Sequence, residues 1–264
     1  VLPEFVKVFY RGFMLWREIS FRPTWRLQVH RWKYLLGDGL LVLATNGFLV
    51  AAATGDKIVL GYHATKGTVG VYAQAYSLTL QTVFLLIPNL SAILFPTLSR
   101  MGKDPVRQTA ALLRAIRLMA ALTIPACMLQ AVTSDPLVRL AVKPEWEGMI
   151  VLAQILCAGM WLRVLGWTAL SLLQSQRRFR TQFVFAAVSS AGFFVAVWIG
   201  ARAGQDVGVA AATAIFFLLC DPVILYVSIR PGGGRARDIV SACGIPIALS
   251  LVAAGAALGA DRLI

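Results

Sequence analysis

Long apolar runs separated by short basic connections decide most of what this chain can fold into. Seven such runs can be drawn, at 33–62, 68–98, 106–132, 147–174, 181–201, 207–229 and 239–260. Each reaches the roughly 20 residues that a helix needs to cross the hydrocarbon core of a bilayer. The chain is 58% hydrophobic and 14% charged, with a mean hydropathy of +0.73. A soluble domain has about 45–50% apolar residues and about 25% charged ones. The expected fold class is therefore all-α, a polytopic membrane helix bundle with about seven transmembrane helices, because a helix satisfies its own backbone in lipid. The short alternating strands of an outer-membrane barrel are not in the pattern.

The net charge is +13. In a soluble chain that excess would suggest nucleic acid. Here the cations lie between the apolar runs, so the reading is a lipid bilayer and no nucleic acid. Every second connection is rich in Lys and Arg: Arg17, Arg22, Arg26, Arg31 and Lys33; Arg100, Lys103 and Arg107; Arg177, Arg178 and Arg180; Arg230, Arg235 and Arg237. The connections between them carry only Lys66, then Arg139 and Lys143, then Arg202. Seven crossings require this alternation, and the positive-inside rule puts the richer set in the cytoplasm. "SRMGKDP" is then a cytoplasmic hairpin, with Pro105 in the first turn of the next helix and Asp104 as its cap. The longest outer connection, 133–146, has room for a short interfacial helix with Trp146 at the headgroup level. The first residue is Val1, and no basic leader precedes a short apolar core. Residues 1–32 read as the end of a preceding helix and a cytoplasmic linker, 33–230 as a six-helix lobe, and 231–264 as a linker with one additional transmembrane helix.

Ionisable residues inside membrane spans are functional candidates. Arg114 and Arg117 are three apart and share a helix face. Either they snorkel to the headgroups or they line a path for an anion. Arg163 sits near the middle of its run, between Trp161 and Trp167, where snorkelling is a long reach. It either faces a cavity or forms an internal ion pair, for which Asp221 is the candidate partner. Asp221 could instead cap backbone groups freed by Pro222. Tyr72 and Gln74, with Tyr76 and Gln81, make the second run more polar than a lipid-facing helix needs, which suggests a face toward a watery cavity. Asp56 and Lys57 read as a local interfacial pair near the outer end of the first run.

The remaining motifs point away from catalysis. "RPGGGRAR" has the glycines of an anion-binding loop but lacks the P-loop spacing and a preceding strand. The four cysteines, Cys127, Cys157, Cys220 and Cys243, are single residues in apolar runs and read as small hydrophobes. His30 and His63 stand alone. No nucleophile–base pair, metal cluster or cofactor motif is present, so neither an enzyme nor a cofactor is expected.

At "DKIVLG" (56–61), "VGVYAQAYSL" (69–78) and "FPTLSRMGKD" (95–104) the chain resembles the polysaccharide exporter group of the multidrug/oligosaccharidyl-lipid/polysaccharide (MOP) superfamily. Pro125, the "EW" before the fourth run, "RRFR" and "GVAAA" (208–212) extend the likeness over about 21–230. The resemblance implies two six-helix lobes around a central cavity, and this chain would be the second lobe plus one extra helix. It also implies transport, by alternating access across the bacterial cytoplasmic membrane, of an oligosaccharide linked to polyprenyl pyrophosphate. The partners would be that lipid and the N-terminal lobe of the same protein. Basic cavity residues would hold the pyrophosphate, and Arg114, Arg117 and Arg163 suit that role by chemistry. A lipid II-type flippase and a drug/cation antiporter of the same superfamily are the nearer rivals. A membrane glycan polymerase is the rival from another class, and it would need a catalytic acid or base.

Overall fold

The computed structural model describes residues 10, 13–14, 29–84, 87–102, 104–141 and 143–261. Within these, every regular element is a helix. The preceding helix and linker expected at 1–32, with Arg17, Arg22 and Arg26, lie almost wholly outside the described residues, as does Lys103. Two compact units divide the chain, Val1–Gly39 and Leu40–Ile264. Of the first, the described part is helical at 10, at 13–14 and from 29 onward. The second contains the helices that build the bundle.

The helices are α1 (Val29–His63), α2 (Lys66–Phe84), α3 (Ile87–Arg100), α4 (Pro105–Ala141), α5 (Met149–Met160), α6 (Arg163–Ser175), α7 (Phe179–Ile229) and α8 (Ala236–Asp261). α7 is two antiparallel limbs, because Gly204 and Gln205 leave helical geometry, Gln205 at φ 48°. The side-chain contacts require the reversal. The rings of Phe193 and Phe217 lie 5.3 Å apart. A straight helix would separate residues 24 positions apart by about 36 Å. Gly200 and Gly208 let the limbs meet backbone to backbone, and a Cβ on either would strike the other. The fifth and sixth expected runs are these limbs.

Among the described residues, four helical stretches are long and apolar enough to cross a membrane: Leu36–His63, Pro105–Leu140, Phe179–Gly232 and Ala236–Ala253. A fifth forms if α5 and α6 count as one span bent by 41°. The third of the four is the α7 hairpin and therefore supplies two limbs. The chain is thus a polytopic helical membrane bundle, with departures from the expected boundaries. The described part of the second run comprises α2 and α3, and Tyr72, Gln74, Tyr76, Thr79 and Gln81 dilute the apolar length of α2. The fourth is broken at Trp161–Leu162. The third continues past 132 through Pro136 to Ala141, so the room left for an interfacial helix holds only a 3-10 turn, Pro144–Trp146. At the start of α4, Asp104 Oδ1 accepts from the backbone N–H of Val106 and Arg107, both at 3.1 Å, which is the expected cap.

Two apolar clusters stack along the bundle. One joins α1, α2, α5 and both limbs of α7 through residues such as Leu60, Tyr72, Leu156 and Phe193. The other joins α3, α4, α6, α8 and the second limb through Leu98, Ile116, Leu172 and Leu225. α1 runs parallel to the first limb. Phe48 meets Phe183, Gly55 meets Phe194, and His63 meets Trp198, so positions rise together along both helices. Parallel packing of the first and fifth runs is what alternating crossings require.

Candidate functional site: a charged cluster between the spans

The second limb of α7 presents Thr213, Phe217 and Asp221 at four-residue spacing, which puts them on one face. α2 presents Tyr72 and Tyr76 by the same rule. α1 supplies Asp56 and Lys57, and the bend before α6 supplies Arg163.

Arg163 occupies the middle of this assembly. Its guanidinium carbon lies 3.6 Å from the Phe217 ring centroid. The Tyr76 side chain lies close enough to feel the positive charge of Arg163. Nη1 stands 3.9 Å from Asp221 Oδ1. That is an ion pair without a direct hydrogen bond, since N–H···O bonds fall at about 2.7–3.2 Å. The other carboxylate oxygen, Oδ2, is buried with no hydrogen-bond partner among the described residues. Gly166, one turn after Arg163, makes room for the carboxylate, and a Cβ there would collide with Asp221 Oδ1.

Asp56 is fully buried. Tyr72 donates its hydroxyl proton to Asp56 Oδ2 at 2.8 Å, and the Lys57 N–H donates to Oδ1 at 2.8 Å. The Tyr72 hydroxyl also meets Thr213 Oγ1 at 3.3 Å. Lys57 Nζ lies 4.3 Å over the Tyr76 ring and 3.9 Å from Asp56 Oδ1. The cluster therefore carries two cations, Lys57 and Arg163, against two carboxylates, Asp56 and Asp221. Charge balance is the condition under which ionised groups survive inside a bundle.

A cavity of about 260 Å³ opens beside the cluster, between α1, α6 and both limbs of α7. Arg163, Asp221, Asn46, Ser189, Trp167 and Phe217 are on its wall. Both alternatives for Arg163 thus hold at once: it faces a cavity and it has an internal counter-ion.

The structure brings Arg163 and Asp221 together, with Tyr72 in the adjoining network. Three other candidates are elsewhere. Arg114 and Arg117 lie exposed on α4, away from its buried stripe of Leu112, Ile116 and Ala120. Neither forms an ion pair among the described residues. Gln74 is exposed while Tyr72 is fully buried. Residues two apart on a helix do not share a face, so the expected single polar face of the second run is corrected to two faces. The interfacial reading of Asp56 is corrected too, because its carboxylate is enclosed by the second and sixth runs. Phe217 and Thr213 were missed as participants, and Tyr76 was read only as part of the polar side of the second run. The signal for Phe217 and Thr213 was the four-residue spacing that ends at Asp221.

The pattern of a family described as polysaccharide biosynthesis protein matches residues 1–151 of this chain. A lipopolysaccharide biosynthesis protein, WzxC of Escherichia coli strain K12, is 25% identical over 197 residues, covering 74% of this chain and 40% of its own length. An amylovoran biosynthesis protein, AmsL of Erwinia amylovora, is 23% identical over 180 residues, covering 68% of this chain and 46% of its own. The chain therefore spans less than half the length of these relatives. No solved structure matches it. The match covers more than half of the sequence and includes α1 to α4, with the tyrosines of α2 and the "FPTLSR" end of α3, so the chain belongs to the polysaccharide biosynthesis protein family.

Proposed function

We propose that this chain is the C-terminal lobe, at 33–230, and an additional helix, at 231–264, of a transporter. Its cargo is an oligosaccharide carried on polyprenyl pyrophosphate, and it works in the bacterial cytoplasmic membrane. The reading carries no catalytic role and no cofactor. A second lobe completes the central cavity, and rocking of the lobes alternates access. The lipid tail stays in the bilayer while the charged, sugar-bearing head crosses through the polar interior.

One observation carries the proposal. Arg163 stands at a break in mid-span, on a cavity wall, with a counter-ion 3.9 Å away that makes no direct hydrogen bond. A cation at such depth costs about 2.5–3.5 kcal/mol on insertion scales. A diphosphate offers the planar guanidinium bidentate, charge-assisted bonds that Asp221 does not supply. Family membership supports the same cargo class, since the two relatives are named for lipopolysaccharide and amylovoran biosynthesis.

The test is complementation of an export-defective strain with the full-length protein, with membrane abundance measured in parallel. Arg163→Ala should abolish export with protein still in the membrane. Arg163→Lys, which keeps the charge but loses the fork, should export partially. The double change Arg163→Ala/Asp221→Ala should still fail to export. Export by the double variant at normal abundance would make the arginine purely structural and end the proposal.

A further inference from the structure

A second hollow lies on the flank of the α7 hairpin. It is an open groove of about 520 Å³ lined by Arg180, Thr181, Val184, Phe185, Val188 and Val227. Its two ends differ in chemistry. At the end nearest the connection 176–178, Arg180 is on the wall, and Arg178 Nη1 donates to the Val227 carbonyl oxygen at 3.2 Å, which fixes a second guanidinium at the same end. Neither arginine is ion-paired among the described residues. Further along, Val184 and Val188 stand one turn apart and are 58% and 68% exposed. Two cations above an apolar trough complement a lipid with a phosphate head. Basic residues at the membrane surface attract such heads.

Phe185 links this groove to the charged cluster. It lines the groove and also the cavity that holds Arg163 and Asp221. It lies five residues from Arg180, about 7–8 Å along the helix. Ser189 and Ser190, one turn further, are on the cavity side. The two hollows therefore share one aromatic side chain as a wall, with guanidinium groups on both sides of it.

We propose that the groove is the access route of a diphosphate-bearing polyprenyl lipid, and that Phe185 is the side-chain gate between it and the Arg163 cavity. This rests on the transport reading above. Arg178 and Arg180 draw the diphosphate to the groove, on the side that the charge bias assigns to the cytoplasm. Val184 and Val188 carry the first isoprene units. A rotation of the Phe185 ring then opens the way to Arg163.

The test uses the full-length protein in native membrane vesicles. The probe is a polyprenyl diphosphate with a photoactivatable group beside the diphosphate, and its adducts are mapped by mass spectrometry. A polyprenyl alcohol with the same group is the control. The native protein should give adducts in the groove, at 184–188, and in the cavity, at 46–53. Arg180→Ala should lower both at least fivefold. Phe185→Trp should keep the groove adducts and lower the cavity adducts at least fivefold, and Phe185→Leu should raise them. Cavity adducts that are unchanged in all three variants would overturn the route. So would equal labelling of the groove by the alcohol, which would make it an ordinary lipid-facing furrow. Export by Arg163→Ala is a separate readout, so failure of the route and failure of the transport reading are told apart.

Discussion

Arginines enter the apolar helices of this chain at two places and are held in opposite ways. Arg163 is 14% exposed, packed on Phe217 and faced by Asp221. Arg114 and Arg117 are exposed on the flank of α4, with no ion pair among the described residues. All three lie well inside apolar runs. Depth along a run therefore says little about enclosure. What separates them is the helix face and the residues that neighbouring helices bring to it.

The largest expected effect breaks the enclosed side of this contrast. Asp221→Leu removes the counter-ion and leaves the guanidinium buried. Arginine cannot shed its proton to escape, and breaking one partner of a buried pair costs about 3–5 kcal/mol. Most of the folded protein should be lost, as measured by thermal stability of detergent-solubilised full-length protein. Arg163→Leu should cost less, because a stranded carboxylate can neutralise itself by taking up a proton. Combining the two should restore much of the stability but not export. Native stability in Asp221→Leu would mean that the pair does not hold α6 to α7.

The same contrast shows what the sequence could and could not tell. Apolar length and charge alternation located α1, α4, both limbs of α7 and α8, because each is long and has a basic connection at one end. The break at Trp161–Leu162 was not visible, since it carries no proline to mark it. Of the candidate site, the meeting of Arg163 and Asp221 was legible because each is a lone charge in an apolar context. Asp56 was misread, because one helix considered alone cannot show that Tyr72 and Thr213 come from two others to enclose it. Gln74 was grouped with Tyr72 by proximity in sequence, although a helix turns residues two apart to different faces.

A middle-sized effect sharpens the second arm of the cluster. Tyr72→Phe keeps the ring and removes the donor to Asp56 Oδ2. Asp56 is then left with the Lys57 backbone N–H and a lysine ammonium 3.9 Å away. Leaving a buried acceptor unsatisfied costs about 1–3 kcal/mol. Thr213→Val should cost less, because its 3.3 Å contact reaches the carboxylate only through Tyr72. Gln74→Ala, on the exposed face of the same helix, should change stability by less than about 0.5 kcal/mol. Equal losses from Tyr72→Phe and Gln74→Ala would contradict the division of α2 into two faces.

The smallest expected effect concerns Arg114 and Arg117, and it bears most on function. Each should tolerate replacement by Gln with a stability change within about 0.5 kcal/mol, as exposed positions generally do. Export is then a clean readout, because fold and abundance stay fixed. If α4 turns this flank to lipid, the two side chains only reach back to the headgroups, and Arg114→Gln/Arg117→Gln should export at the native rate. If the flank faces the second lobe, the same double variant loses two cations from the substrate path. Export should then fall several-fold while thermal stability is unchanged. The separation of Arg114 and Arg117 from the Arg163 cluster favours the first outcome within this lobe. A several-fold loss would extend the anion site across the lobe interface and make Arg163 one station of several. The measurement is export per unit of membrane protein for the double variant beside Arg163→Ala. Its result decides whether enclosure within the proposed lobe, or exposure toward the proposed second one, marks the residues that would hold the proposed cargo.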